Sequence, residues 1–260
     1  MSTNTTDNLK CQQSRKKLLK KIEELRGSKV MVYVSHAPLD DSVLMPMYQE
    51  LSHIGCIDRL DLFLNSYGGN IDTPYKLVKM LRGFCRDLTV IVPVAAKSAA
   101  SMIVLGADQI IMGPFAELGP IDPVVRHPLY PDTWISVQAA QYSYDFFERL
   151  IDRCSPDQVM QILSLFEKID PWILGDYTKM LKSSHQYAES LLKDYMFKEN
   201  PHLVGPLVDK MINSYFSHGY PITKTEAQEM GLNILDISQE LTDIIVELFL
   251  EYDKLLNFSS

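Results

Sequence analysis

Two short segments hold the residues with the most chemistry to offer. One is Asn65-Ser66-Tyr67-Gly68-Gly69-Asn70 and the other is Ala95-Ala96-Lys97-Ser98-Ala99-Ala100-Ser101, each placed directly after an apolar run. Adjacent glycines reach backbone conformations that other residues resist and let an amide N–H approach a ligand closely. Taken alone, such a pair is as readily an ordinary turn between strand and helix. It has neither the GxGxxG spacing of a dinucleotide site nor the GxxxxGK[ST] spacing of a P-loop. Ser98 stands where a helix is expected to start, and a serine there ordinarily serves as N-cap. Two features point past that role. Its neighbours are small, so something packs closely against them. The first turn of a helix also presents unpaired N–H groups and positive potential beside the hydroxyl, and these are the groups that stabilise an oxyanion in acyl transfer. Ser98 is therefore the candidate nucleophile. Ser101 lies a turn inside the helix, where its hydroxyl would bond a backbone carbonyl.

The flanking sequence predicts elements that would bring the two segments together. Val30–Ser35, Arg59–Asn65, Leu88–Val94 and Gln109–Met112 read as strands. Ser42–Ile54 reads as a helix with Pro46 weakening its first turn. A second helix starts at Asp72 or Thr73 with Pro74 near its first position and runs to about Phe84. A short apolar helix, Ser98–Leu105, ends at Gly106. The third strand is almost wholly apolar, as in a parallel sheet buried on both faces. Alternation of strand and helix over the first 125 residues argues for right-handed βαβ crossovers. In such sheets ligands collect at strand C-termini, and both candidate segments follow strand C-termini.

The rest of the chain is less informative. Residues 1–10 are polar and expected to be disordered. From Gln12 to Leu25 the apolar residues Leu18, Leu19, Ile22 and Leu25 have helical spacing, with lysines opposite. Ser136–Ser214 shows helical periodicity without a strand, with breaks at Ser155-Pro156, Asp170-Pro171 and Asn200-Pro201. Beyond it, Thr223 and Glu226 have capping-box spacing and Gly231 sits where a helix ends. Asn233–Ile237 reads as a short strand and Gln239–Leu256 as a final amphipathic helix. The expected organisation is a polar N-terminus with one helix (1–27), a core (28–135), a helical insertion (136–214) and a C-terminal return to the core (215–260).

Composition narrows the function classes. The chain has 260 residues, 46% hydrophobic and 22% charged, with a net charge of −8. That balance suits a globular α/β protein and argues against non-specific nucleic-acid binding. Cys11, Cys56, Cys85 and Cys154 form no CxxC pair, and no Cys/His cluster has zinc spacing. No apolar stretch approaches the ~18–20 residues of a membrane span, and no secretory signal is visible. The expectation is a cytoplasmic protein with reduced thiols, no membrane span and no metal. His36, His53, His185 and His202 are scattered and receive no role. Trp134, Trp172 and the tyrosines are expected in the core or at subunit interfaces.

Three segments carry a family resemblance: LFLNSYGGNIDTPYKLVKML, VPVAAKSAASMIVLGADQIIMGPFAELGPIDP and SHGYPITKTEAQEMGLNI. In this order and spacing they resemble the ClpP/crotonase superfamily, and within it the serine dehydrogenase proteinase family, related to signal peptide peptidase A and ClpP. They cover roughly residues 60–125 and 215–235; the helical middle matches more loosely. The resemblance implies an α/β fold with a repeated βαβ core, a mainly parallel sheet and a helical insertion. It also implies a serine peptidase without cofactor, acting on peptides or proteins and assembled as a trimer or hexamer.

Residue by residue, the resemblance makes Ser98 the nucleophile and the amides of Gly69 and Ala99 the oxyanion hole, with Gly68 permitting the turn. The ClpP histidine position offers Asp122 instead. The nearby His127 comes a few residues late, in a proline-rich loop, and reads as solvent-exposed. At or next to the ClpP aspartate position stands His218. The two roles are therefore expected to be exchanged, with His218 as general base and Asp122 orienting it, since triads are defined by geometry and not by chain order. The rival base is a lysine, as in signal peptide peptidase A, where Lys179 or Lys182 would serve. Either would need desolvation to act. Lys97 is expected to point away from Ser98. Two other classes share the fold: a crotonase-type acyl-CoA enzyme, which needs no serine nucleophile, and a non-catalytic scaffold or adaptor.

Overall fold

The computed structural model describes residues 3–127, 130, 132–155, 158–160 and 171–256. The chain opens with helix α1 (Thr3–Arg26), so the segment expected to be disordered is helical from Thr3 onward. Before Gly27 no glycine or proline interrupts the chain, and nothing local stops the helix from extending. Leu18 and Ile22 of α1 are buried, while Leu25 is exposed.

Strand β1 (Lys29–Ser35) leads through a short 3-10 turn (Asp41–Val43) into α2 (Leu44–Ile54). Pro46 is the third residue of α2, where its missing N–H would have found no intrahelical acceptor. Then come β2 (Ile57–Ser66), α3 (Thr73–Arg82), β3 (Cys85–Val92), β4 (Ala95–Ala96), α4 (Ala99–Leu105) and β5 (Gln109–Met112). Strand β6 (Glu117–Leu118) and the hairpin β7 (Val124–Arg126) and β8 (Trp134–Ser136) follow. The hairpin was not expected, and it ends on Ser136, the first residue read as helical.

The sheet is mostly parallel. Its order is β5-β3-β2-β4-β6-β9, where β9 is Ile222–Thr223, with β1 on the free side of β2. β3 pairs with β2 only as far as Phe63–Ile91. After Pro93 interrupts it, the two-residue β4 takes over the same edge through Ser66 and Ala96. Asn65, fully buried in β2, holds this junction by accepting the Ala95 N–H at 2.8 Å. Strands of two residues carry no periodicity, which is why β4, β6 and β9 (Ile222–Thr223) escaped the sequence reading.

The helices of the second half are α5 (Gln138–Ile151), α6 (Pro171–Asp194), α7 (Val204–Asn213), α8 (Lys224–Glu229) and α9 (Gln239–Leu256). The expected breaks at Ser155-Pro156 and Asp170-Pro171 fall partly outside the described residues; Pro171 opens α6, and a 3-10 turn starts at Pro201. Ala188, Leu191 and Leu192 of α6 and Val208 and Met211 of α7 share one core with the sheet. A second core, on the other face of the sheet, joins Leu18 and Ile22 to Ile244, Ile245 and Leu248 of α9. The Thr223 hydroxyl caps α8 by accepting the Glu226 N–H, as its spacing predicts. Asn233–Ile237 is not a strand: only Ile234 forms a bridge, to Ile110. Trp134 and Trp172 do not fill the core either; they are 59% and 84% exposed.

Candidate active site

Parallel pairing sends β1, β2 and β4 out at the same edge of the sheet. The segments that follow them, 36–40, 67–71 and 97–98, converge there. Ser98 forms the N-cap of α4 with φ 51° and ψ −121°. It is the one non-glycine residue with positive φ among the described residues. Such a conformation costs about 1–3 kcal/mol and persists only where its surroundings impose it. The Ser98 hydroxyl does not cap the helix, so the ordinary reading of a serine at this position fails.

The surroundings that impose it are backbone. Gly68, at φ 92°, lies so close that a Cβ there would stand 2.7 Å from the Lys97 carbonyl oxygen and 2.9 Å from the Ala99 nitrogen. Gly69 abuts Leu39, where a Cβ would clash with the Leu39 backbone. The turn is tied down on that side: Leu39 N–H donates to Gly68 O at 2.8 Å, and Asn70 N–H donates to Leu39 O at 2.7 Å. In such an extended pairing alternate peptide groups face opposite ways, so the Gly69 N–H points away from Leu39. No hydrogen bond from it occurs among the described residues. Ala99 is the first residue of α4, so its N–H has no intrahelical acceptor. The Gly68 N–H donates to Ser66 Oγ at 3.2 Å.

The two residues assigned exchanged roles meet. His218 Nδ1 lies 2.8 Å from Asp122 Oδ1. A carboxylate oxygen only accepts, so Nδ1 carries the hydrogen and Nε2 is left as an acceptor. Asp122 is 2% exposed, and its other oxygen accepts the Ser136 hydroxyl at 2.7 Å. Ser98, Gly68, Gly69 and His218 line one cavity of about 560 Å³, shared with His36, Tyr67, Val124, Trp134 and Met180.

The rival bases stand elsewhere. The Lys179 side chain is 81% exposed beside Asp176, and Lys182 is exposed. Neither has the desolvated surroundings a lysine base requires; it is Met180, between them, that faces the cavity. Lys97 turns to Glu117, 2.7 Å away. The Ser101 hydroxyl donates to Ala96 O at 2.6 Å and accepts the Gly119 N–H at 2.9 Å. His127 is half-buried, not exposed, and accepts the Tyr130 N–H at 3.2 Å. Among the described residues no cluster of histidine, cysteine and carboxylate side chains could hold a metal ion.

A sequence model of the ClpP-like SDH-type serine proteinases matches residues 3–143, more than half of the chain. The chain belongs to that family. The match includes Gly68, Ser98 and Asp122, and His218 lies beyond it. Two uncharacterized proteins of Methanocaldococcus jannaschii are similar in sequence. One is 27% identical over 191 residues, 73% of this chain and 58% of the relative. The other is 25% identical over 232 residues, 85% of this chain and 71% of the relative. The chain thus spans less than two thirds of the first relative's length. Among solved structures, a serine-to-alanine mutant of the 1510-N membrane-bound stomatin-specific protease has a TM-score of 0.52 at 15% identity, covering 84% of each chain. A lysine-to-alanine mutant of the same protease with a substrate peptide gives 0.51 at 14% identity, over 82% and 77%. These likenesses establish a ClpP-like fold. No helix among the described residues is long and apolar enough to cross a membrane.

The sequence reading missed most of the cavity wall. Trp134 arrives on the unforeseen hairpin, with the Arg126 guanidinium 5.3 Å from its ring. His36 and Asp40 follow β1 at the same sheet edge as the glycine turn, and the strand C-terminus rule applied to Ser98 would have found them.

Proposed function

We propose that this protein is a serine peptidase that works through an acyl-enzyme on Ser98. Ser98 Oγ attacks the substrate carbonyl as His218 Nε2 takes its proton. Asp122 fixes the imidazole tautomer and faces the imidazolium that forms. The amides of Gly69 and Ala99 hold the oxyanion, and His218 then returns the proton to the leaving amine. Water releases the acyl group by the same steps in reverse. The observation that carries this reading is the placement of a strained, uncapped Ser98 and an Asp122-bound His218 on one cavity. A crotonase-type enzyme would have no use for the strain at Ser98.

The test is labelling by a serine-directed fluorophosphonate between pH 6 and 9, with wild type and Ser98→Ala side by side. Wild type should be labelled and the variant should not. A labelled variant moves the nucleophile, while an unlabelled wild type supports the scaffold reading. The proposal extends to a homo-oligomer of the cytoplasm. Exposed Phe115 and Phe216, 86% and 93% accessible, and four unpaired cysteines support that part. Sedimentation of the purified chain tests the oligomer.

A further inference from the structure

Ser98 and His218 belong to different parts of the chain, and a single buried side chain joins them. Lys97 directly precedes Ser98, and its side chain is 10% exposed. Its ammonium pairs with Glu117 of β6 at 2.7 Å. It also donates to the carbonyls of Gly219 and Tyr220 at 3.4 and 3.3 Å, and these two residues immediately follow His218. The stem lies along Gly119, where a Cβ would come within 2.8 Å of Lys97 Cδ. A buried ammonium needs all of its donors answered, and here the answering groups are one carboxylate and the loop that presents His218.

We propose that Lys97 is a positioning residue that locks the His218 loop to the strand end carrying Ser98. The inference rests on the peptidase reading and adds to it a part that neither residue supplies. Nucleophile and base must come within hydrogen-bond reach for proton transfer, and a misplacement of ~1 Å can cost about 100-fold in rate. Without the ammonium, Gly219 and Tyr220 lose a shared anchor beside His218.

The experiment uses Lys97→Met, which keeps an apolar stem of similar length. Fluorophosphonate labelling is followed in time, so that the rate constant per site and the final stoichiometry are read separately. A positioning role lowers the rate constant about 10- to 100-fold at full stoichiometry; a role only in folding lowers the stoichiometry and leaves the rate constant. Glu117→Gln should move the rate constant in the same direction by less. In a His218→Ala background Lys97→Met should add nothing, because Lys97 acts through His218. An additive loss there, or an unchanged rate in the single variant, overturns the proposal. The His218 Nδ1–H resonance is read on the same proteins. It should be present in wild type and broadened or lost in Lys97→Met. A resonance unchanged in Lys97→Met overturns the lock, whereas an unlabelled wild type sinks only the peptidase reading and leaves the resonance to decide on Lys97.

Discussion

Asp122 and His218 face each other just beyond the end of the β6–β9 pairing. Strands β6 and β9 pair antiparallel, Glu117 with Thr223 and Leu118 with Ile222. The pairing stops there; Asp122 lies four residues past it on one side and His218 four residues before it on the other, and their carboxylate and imidazole lie 2.8 Å apart. An antiparallel pair is indifferent to which strand supplies the acid and which the base. On the proposed reading, that symmetry lets a chain with aspartate at the expected histidine position carry the pair with its members exchanged.

Removing either partner should therefore disable the base without unfolding the protein. His218→Ala and Asp122→Asn are each expected to slow peptide hydrolysis by about 10²- to 10⁴-fold, the range general-base catalysis supplies. Ser136→Ala removes one hydrogen bond from Asp122, worth about 1 kcal/mol, and should slow it only severalfold. Steady-state kcat on a fluorogenic peptide measures all three. Full activity in His218→Ala would return the search to another base.

The backbone at Ser98 makes a prediction about stability that is separate from chemistry. Glycine adopts φ 51° freely, whereas serine and alanine do not. Ser98→Gly should then be more stable than wild type and than Ser98→Ala by roughly 1 kcal/mol, although glycine ordinarily weakens a helix start relative to a capping serine. Both variants should be inactive. Urea unfolding midpoints compared at constant slope decide it, and equal midpoints would mean that Ser98 carries no strain.

Most of what positions the site was legible in the sequence. The strands β1, β2, β3 and β5 and the helices between them carry enough residues for apolar runs and amphipathicity to show, and Gly68-Gly69 and Ser98 announce themselves by type. What was not legible depends on contacts between distant segments. The two-residue strands β4, β6 and β9 exist only because their neighbours pair with them. The hairpin bearing Trp134 has no clear alternation, and its Ser136 is recognisable as a partner of Asp122 only once folded. The ammonium of Lys97 reaches across more than a hundred residues of sequence to Gly219. Exposure misled as well: a tryptophan reads as core by composition, while Trp134 stands at a cavity mouth.

Burial gives one pH dependence with a definite sign. The Cys85 thiol is pushed up to about 11 by burial in the core under α3. The unfolded thiol titrates near 8.5–9, so above that the unfolded chain has lost a proton that the folded chain still holds, and stability falls as pH rises. The loss should develop between about pH 9 and 11 and reach on the order of 2 kcal/mol. Tyr33 and Tyr252, whose hydroxyls burial also pushes upward, add to it at the alkaline end. Cys85→Ala should flatten the curve over that window while lowering stability at neutral pH through the lost packing. At pH 8 a maleimide should modify exposed Cys56 and leave Cys85 untouched. Rapid labelling of Cys85 in the native protein would contradict the burial.

The attachment of α1 turns on a buried ion pair. Arg26 ends the helix and donates to Asp61 of β2 at 2.9 Å, with the side chains 10% and 1% exposed. The Ser28 hydroxyl also bonds Asp61 at 2.9 Å, and Arg26 reaches Thr89 of β3 at 3.0 Å. Two strands under the site are thereby tied to the helix C-terminus. Breaking one member leaves a charge buried without its partner, so Arg26→Met should cost about 3–5 kcal/mol. Replacing both, Arg26→Met with Asp61→Leu, removes the desolvation of both charges and should recover most of that loss. A thermal shift series on the two single variants and the double variant measures the coupling. If the double variant is as unstable as the sum of the singles, Arg26 and Asp61 act independently and the ion pair does not fasten α1.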